Sequence, residues 1–310
     1  MNIQQLEYIV HVHEEKHFAR AAERSFVTQP TLSMMIQKLE DELGVKIFNR
    51  SKHPVETTKE GLMIIEMAKR VVHEFKGIKS FTQELTKDYT GHVYVGVIPT
   101  LAPYILPLIL KNMSNTFPNI RWHFKELFTG EIVTQLKVGK LDFGLLAGPL
   151  NQDLIIETEL FKETFYAYFS NQELGKNKKR FSADDLKVND HIWLLEEGHC
   201  MRHQMMQLCQ LQKKQDSNLQ YEAGSIQSLV NLVDEMGGVT IIPQLSIIHL
   251  NAEQKSKVKP FTKPVPVRSV TLATHVYYPR LKLKNKLAQL LQNTLQLFQK
   301  NDEFEIVGIQ

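Results

Sequence analysis

Phe18-Ala19-Arg20-Ala21-Ala22-Glu23-Arg24-Ser25-Phe26-Val27-Thr28-Gln29-Pro30-Thr31-Leu32-Ser33-Met34-Met35-Ile36-Gln37-Lys38-Leu39 reads as two helices joined by a short turn. Phe18, Ala21 and Ala22 fall on one helix face, and the small alanines permit a close crossing with a neighbouring helix. Ser25-Phe26-Val27 forms the turn. Thr28 can cap the next helix, and Pro30 is tolerated in its first turn, where the amide has no intrahelical partner. Leu32, Met35, Ile36, Leu39 and Leu43 form the apolar stripe of that helix, and Gly44 closes it. Its other face carries Gln29, Thr31, Ser33, Met34, Gln37 and Lys38. Upstream, Leu6, Ile9 and Val10 mark one more helix.

Two helices across a tight turn, the second with a polar outer face, make a helix-turn-helix, whose second helix enters the DNA major groove by its N-terminal residues. Gln, Ser and Thr hydrogen-bond to base edges and phosphates alike. A small bundle that merely exposes polar residues to water would show the same pattern. Charge does not decide between them, because residues 1–90 hold thirteen Lys and Arg against thirteen Asp and Glu. Placement says more. Val45–Phe48 predicts a strand, and Lys46, Arg50, Lys52, His53 and Lys59 surround Pro54 with only Glu56 and Glu60 opposing, a basic hairpin suited to gripping phosphate as a wing. The expected DNA-binding residues are Thr28, Gln29, Pro30, Thr31, Ser33, Gln37, Lys38, Arg50 and Lys52.

Thr57-Thr58-Lys59-Glu60 predicts a capping box, with Thr57 and Glu60 in the reciprocal positions, at the start of a long helix. Ile64, Met67, Val71, Ile78, Phe81 and Leu85 step along it by threes and fours, interrupted by Glu74. This seam predicts helix pairing, either between copies of the chain or within its own domain; a free-standing connector favours the former.

From Thr90-Gly91 the pattern becomes α/β. Strands are expected at Val93–Ile98, Ile120–Leu127 and Asp142–Ala147, with helices at Pro103–Thr116 and Glu131–Val138, giving a doubly wound parallel sheet. A second set follows: strands at Phe165–Phe169, Ile192–Leu195, Val239–Ile242 and Val270–Tyr278, with helices near Cys200–Gln212, at Ser225–Met236 and at Lys284–Gln299. Two lobes, with the chain crossing near residues 163 and 267, are the simplest architecture. Ligands in such folds sit beyond the carboxyl ends of strands, where Thr100 and Thr129 fall; each threonine could equally cap the helix that follows it.

The 310 residues, 43% apolar and 23% charged, suit a soluble chain of two or three modules and exclude a disordered or collagen-like one. No basic-then-apolar leader and no apolar run of about 18 residues is present, so a cytoplasmic protein without a membrane partner is expected. The two cysteines, Cys200 and Cys209, are compatible with metal binding, redox chemistry or plain packing. His199, Cys200, His203 and Cys209 do not have a standard zinc spacing; no metal and no cofactor is expected.

Phe18-Ala19-Arg20-Ala21-Ala22, Thr28-Gln29-Pro30-Thr31-Leu32-Ser33, Ile36-Gln37-Lys38-Leu39-Glu40-Asp41-Glu42-Leu43-Gly44, Phe48-Asn49-Arg50 and Thr58-Lys59-Glu60-Gly61 resemble the LysR-type transcriptional regulators. The resemblance implies an all-α winged helix-turn-helix domain (residues 1–59), a long linker and dimerisation helix (60–88) and an α/β two-lobed effector domain like periplasmic binding proteins (89–304). Lobe I would comprise residues 89–162 and 268–304, lobe II residues 163–267, and a tail residues 305–310. It also implies promoter DNA and RNA polymerase as partners, assembly as a homodimer or homotetramer, and no enzymatic activity.

Ile98-Pro99-Thr100-Leu101-Ala102-Pro103-Tyr104 and Glu197-Gly198-His199-Cys200-Met201-Arg202 with Cys209 are similar to the peroxide-sensing members of that family. On that resemblance Cys200 would react with hydrogen peroxide and Cys209 would resolve the product to a disulfide, as the signal of an oxidative-stress response. Thr100, Thr129, His199 and Arg268 would line the peroxide pocket. His203 is a departure, since better-known members carry an acidic residue there. His199, Arg202 and His203 are candidates to favour the reactive thiolate of Cys200. Along an unbroken helix the two thiols would lie about 13.5 Å apart on opposite faces, so closing the disulfide would require unwinding. The alternatives are a regulator whose small-molecule effector sits in the interlobe cleft, a metal sensor, and a thiol peroxidase.

Overall fold

The computed structural model describes residues 1–85, 89–170, 180–182, 192–208, 221–298 and 304–307. Cys209 lies outside the described residues. The chain forms two compact units, one carrying residues 1–88 and the other most of residues 89–310. No described helix is long and apolar enough to cross a membrane.

In the first unit α1 (Ile3–Glu15) is held at its start by a capping box between Asn2 and Gln5. Helix α2 (Phe18–Arg24) meets α3 (Gln29–Leu43) across a turn in which Phe26 takes a left-handed φ of 55°. Thr28 caps α3 through the Thr31 amide, and Gly44, at φ 68°, ends it. Leu6, Ile9, Val12, Ala21, Ala22, Leu32, Ile36 and Leu39 form one core, joined by Ile65, Ala68 and Val72 of α4 (Lys59–Leu85). Two short antiparallel strands, β1 (Phe48–Asn49) and β2 (Glu56–Thr57), make the wing.

A buried acid fixes the wing to α3. Glu40, 1% exposed, accepts the amides of Ile47 (2.7 Å) and Phe48 (3.2 Å) on one oxygen and Arg50 (3.2 Å) on the other. The cap of α4 is Thr58, one residue later than the expected box. Its hydroxyl accepts the Gly61 amide (2.9 Å) and donates to the Lys46 carbonyl (2.7 Å), while Thr57 is taken up by the wing, opposite Phe48. Gly61 permits this approach: a Cβ there would stand 2.3 Å from the Ile47 carbonyl oxygen.

In the second unit β3 (Gly91–Val97), α5 (Ala102–Thr116), β4 (Ile120–Glu126), α6 (Thr129–Lys137) and β5 (Phe143–Gly148) form the expected wind, with β3 parallel to both β4 and β5. The long strand β6 (Ile155–Phe169) follows, then α7 (Cys200–Leu208), α8 (Ile226–Met236), β7 (Val239–Pro243), a 3₁₀ turn (Gln244–His249), α9 (Ala252–Ser256) and β8 (Val258–Pro260). The unit is completed by β9 (Val265–His275), α10 (Leu281–Leu295) and β10 (Phe304–Ile306). The strand order is β4-β3-β5-β9-β6-β7.

The sequence pattern predicts a parallel sheet, and the observed sheet is mixed. Strand β9 runs antiparallel to both β5 and β6, because it brings the chain back through the connection out of which β6 led it. Residues 155–164 of β6 pair with β9, whereas 165–169 pair with β7 and 166–168 with β8, so one strand serves two sheets. The expected strand at Ile192–Leu195 is reduced to bridges from Ile192 to Val239 and from Leu195 to Ala223. The helix expected near Cys200–Gln212 is described to Leu208. Part of the expected tail is a strand: β10 lies parallel to Val265–Val267.

Helix α4 presents Met63, Met67, Val71, Phe75 and Ile78 with 50–69% of their surface exposed. Ile64, expected in this seam, instead packs against the module core, and the side chains of Phe81 and Leu85 lie outside the description. A continuous apolar ridge of this kind suits pairing with a second copy. The double substitution Val71→Asp/Ile78→Asp is expected to lower the sedimentation mass while preserving helix content, since neither residue belongs to the core. An unchanged mass would reject pairing through the ridge.

Candidate functional site

Arg268 is fully buried on β9, directly opposite Glu163 of β6 in the strand register, and Glu163 is equally buried. Glu163 Oε2 accepts from Arg268 Nε and Nη2, both at 2.8 Å, while its Oε1 accepts the Leu245 amide at 2.8 Å. The guanidinium then reaches Thr100, beyond the end of β3: Nη1 donates to Oγ1 at 2.9 Å and Nη2 to the carbonyl at 3.2 Å. Thr100 therefore does not cap α5, which begins without a side-chain cap.

Cys200 is the first residue of α7 and retains partial exposure. Burial pushes its thiol pKa up; the Arg268 charge, the Thr129 hydroxyl and the amides of Met201 and Cys200 pull the other way without cancelling the rise. The neighbours in sequence contribute differently from expectation. Arg202 is engaged by Glu222 (3.1 Å) and by the Leu195 carbonyl, and His203 is exposed to solvent. Among the described residues, the cation whose charge favours the thiolate is Arg268, carried on β9.

His199 is buried, and desolvation lowers its pKa against the opposing pulls of Glu196 and the Gly224 backbone. Its ring stands edge-on to Phe128, with centroids 5.0 Å apart. The 3.7 Å from His199 Nε2 to Glu196 Oε1 exceeds a good hydrogen bond. Among the described residues, His199 Nε2 is buried without a close hydrogen-bond partner, and Thr129 Oγ1 is buried with the Cys200 thiol as its hydrogen-bonding neighbour. Thr129 does not cap α6 either; the Phe128 amide at that terminus is taken by Glu131 Oε2 at 3.1 Å. Buried polar atoms are ordinarily satisfied, so these two are equipped to bind a small polar ligand beside the thiol. Among the described residues, no three His, Cys, Asp or Glu side chains converge as metal ligands.

The residue missed in sequence is Glu163. Its signal is an acid inside the strand Phe161-Lys162-Glu163-Thr164-Phe165, at a position that alternation assigns to the same face as two phenylalanines.

On the helix-turn-helix, Thr28, Gln29, Pro30, Thr31 and Lys38 are exposed, and Ser33 and Gln37 partly so. Gln37 donates to Asp41 at 2.7 Å, and Lys52 lies 3.9 Å from Glu56 on the wing. Arg50 is less free than a simple phosphate contact requires: it donates to Ser33 Oγ (3.0 Å) and Glu40, and its guanidinium lies over the Phe18 ring.

The raised thiol pKa has a kinetic consequence, because the thiolate is the nucleophile. The pKa of Cys200 lies above the ordinary thiol value, so the thiolate fraction at pH 7 is below that of a free cysteine and keeps rising through pH 9. Alkylation of Cys200 by iodoacetamide, followed by peptide mapping, should accelerate by about tenfold per pH unit from pH 6.5 to 8.5. A plateau in that range would show the thiol pKa to be depressed instead.

Residues 3–62 match the bacterial regulatory helix-turn-helix family of the lysR type, and residues 86–298 match the LysR substrate binding domain. The chain is 36% identical over 290 residues to a hydrogen peroxide-inducible genes activator of Pectobacterium carotovorum, covering 94% of each chain. It is 34% identical over 292 residues to the DNA-binding transcriptional dual regulator OxyR of Escherichia coli, again covering 94% of each. A solved full-length OxyR variant from Pseudomonas aeruginosa superposes with a TM-score of 0.77 at 31% identity, covering 94% of this chain and 98% of that one. The chain belongs to the LysR family of transcriptional regulators.

Proposed function

We propose that this regulator senses hydrogen peroxide through Cys200 and passes the signal to promoter DNA, as part of an oxidative-stress response. The observation that carries this reading is the convergence of the Cys200 thiol, the buried Thr129 Oγ1 and His199 Nε2, and the buried Arg268 charge around one helix start. The relatives named for peroxide induction point the same way. The working form is a homodimer or homotetramer in the cytoplasm that acts on RNA polymerase at the promoter.

The Cys200 thiolate attacks one peroxide oxygen: the S–O bond forms, the O–O bond breaks, and the second oxygen leaves with the electron pair and takes a proton to become water. Sulfur is thereby oxidised to sulfenic acid. Thr100, Thr129, His199 and Arg268 hold and polarise the peroxide. The Cys209 thiol then attacks the sulfenic sulfur, giving a disulfide and a second water. Connectivity alone makes this a conformational step. Eight residue steps of α7 separate the Cα atoms of Cys200 and Leu208 by about 12 Å, and Cys209 can stand only about 3.8 Å from Leu208. The remaining gap of about 8 Å exceeds the roughly 7 Å limit of a disulfide, so α7 must yield. Thr28, Gln29, Pro30, Thr31, Ser33, Gln37 and Lys38 read or anchor the DNA, with Arg50 and Lys52 on the wing.

Stopped-flow oxidation with mass spectrometry, run beside promoter footprinting, tests the reading. Cys200→Ser should abolish the response. Cys209→Ser should still react but stop at sulfenic acid and pass to over-oxidised forms under excess peroxide. Thr129→Val should slow oxidation by on the order of tenfold or more, as loss of one preorganised donor does. A wild-type footprint response to peroxide in Cys200→Ser would reject the thiol switch and leave a small-molecule effector in the interlobe cleft.

A further inference from the structure

The peroxide reading leaves one buried acid without a role. Glu163 has no solvent exposure, yet both of its oxygens are occupied: Oε2 by two nitrogens of Arg268 and Oε1 by the Leu245 amide at the start of a 3₁₀ turn. The strand register places the two residues directly opposite each other, so the Glu163 backbone and the Leu245 amide together fix where the guanidinium lies. What that guanidinium then does at Thr100 follows from hydrogen-bond chemistry. Arginine carries donors only, so at 2.9 Å from Nη1 the Thr100 oxygen is the acceptor. The hydroxyl keeps its single proton, and that proton must be directed away from Arg268.

We propose that Glu163 is a positioning residue of the peroxide site: by locking Arg268 it sets Thr100 as a hydrogen-bond donor toward the peroxide oxygen that leaves. This inference rests on the peroxide reading and assigns a direction to its pocket. As the O–O bond breaks, the departing oxygen carries the developing negative charge, and a preorganised donor stabilises it more than it stabilises bound peroxide. Glu163 touches neither peroxide nor sulfur and acts only through Arg268.

The test separates attack on peroxide from attack on a reagent without an O–O bond. Second-order rates of Cys200 oxidation by hydrogen peroxide and of its alkylation by iodoacetamide are measured on the full chain, in the wild type and in Glu163→Gln. Glu163→Gln is expected to slow the peroxide reaction by on the order of tenfold, as a misdirected donor does. It should change the alkylation rate by less than about twofold, because alkylation reports thiolate fraction and access. In the Thr100→Val background the Glu163→Gln effect on the peroxide rate should vanish, since the two act through one hydroxyl.

Equal slowing of both reactions, an unchanged peroxide rate, or effects that add in the double variant would each overturn the proposal. If Glu163→Gln loses its cooperative melting transition, Glu163→Asp decides in its place. Aspartate keeps the charge but is one methylene too short to hold both the Arg268 fork and the Leu245 amide, so the same split between the two reagents is expected and its absence is fatal. Failure of the peroxide reading itself would show separately, as a Cys200→Ser protein that responds to peroxide like wild type.

Discussion

The effector half is organised around one buried ion pair. Arg268 and Glu163 face each other close to where β6 stops pairing with β9 and begins pairing with β7. Burying both charges has a large desolvation cost, and removing either partner alone typically costs about 3–5 kcal/mol. Apolar residues of similar size could often serve stability equally well. What the pair supplies is position. Three elements distant in sequence, the end of β3 at Thr100, the start of the 3₁₀ turn at Leu245 and the β6–β9 crossing, are held to one guanidinium and its carboxylate. The same charge reaches the Cys200 thiol, so the architecture of the sheet and the chemistry of the helix start are one arrangement.

The N-terminal module repeats the device on a smaller scale. Glu40 is as buried as Glu163 and likewise holds an arginine with one oxygen and backbone amides with the other. There the result is mechanical: the wing root and Arg50 are set against α3, and Arg50 in turn holds Ser33 near the start of the recognition helix. In each unit a carboxylate that meets no solvent determines where a guanidinium presents its remaining donors.

The helix-turn-helix was readable because its stripes, cap and closing glycine are local signals, and Thr28 and Gly44 stand where those signals put them. The α/β wind through β5 was equally readable, from the apolar runs of β3 and β5 and the alternation of β4. Beyond it the sequence failed for a definite reason. Strand direction is a long-range property, and nothing in Val265–His275 states that it runs against β5 and β6. The site shows the same division. Cys200, His199, Thr100 and Thr129 stand out by motif, but the partners that control them do not. Adjacency in sequence suggests Arg202 and His203 as the charges near the thiol, whereas α7 commits one to Glu222 and leaves the other in solvent. The Phe161–Phe165 stretch reads as a strand, but only the register with β9 shows what its single buried acid meets.

The strand β10 gives the chain a schedule. Residues 304–306 complete the sheet edge at Val265–Val267, and the Val307 carbonyl takes the side-chain amide of Gln204 on the cysteine helix. During synthesis the first 85 residues carry a core made of their own contacts and can fold as soon as they leave the ribosome. The sensor half cannot close in step with them. Until residues 304–307 emerge, the sheet edge beside Arg268 stays unpaired and Gln204 lacks its acceptor. A nascent chain therefore acquires its helix-turn-helix fold well before the sheet edge beside Arg268 and the anchorage of α7 are complete.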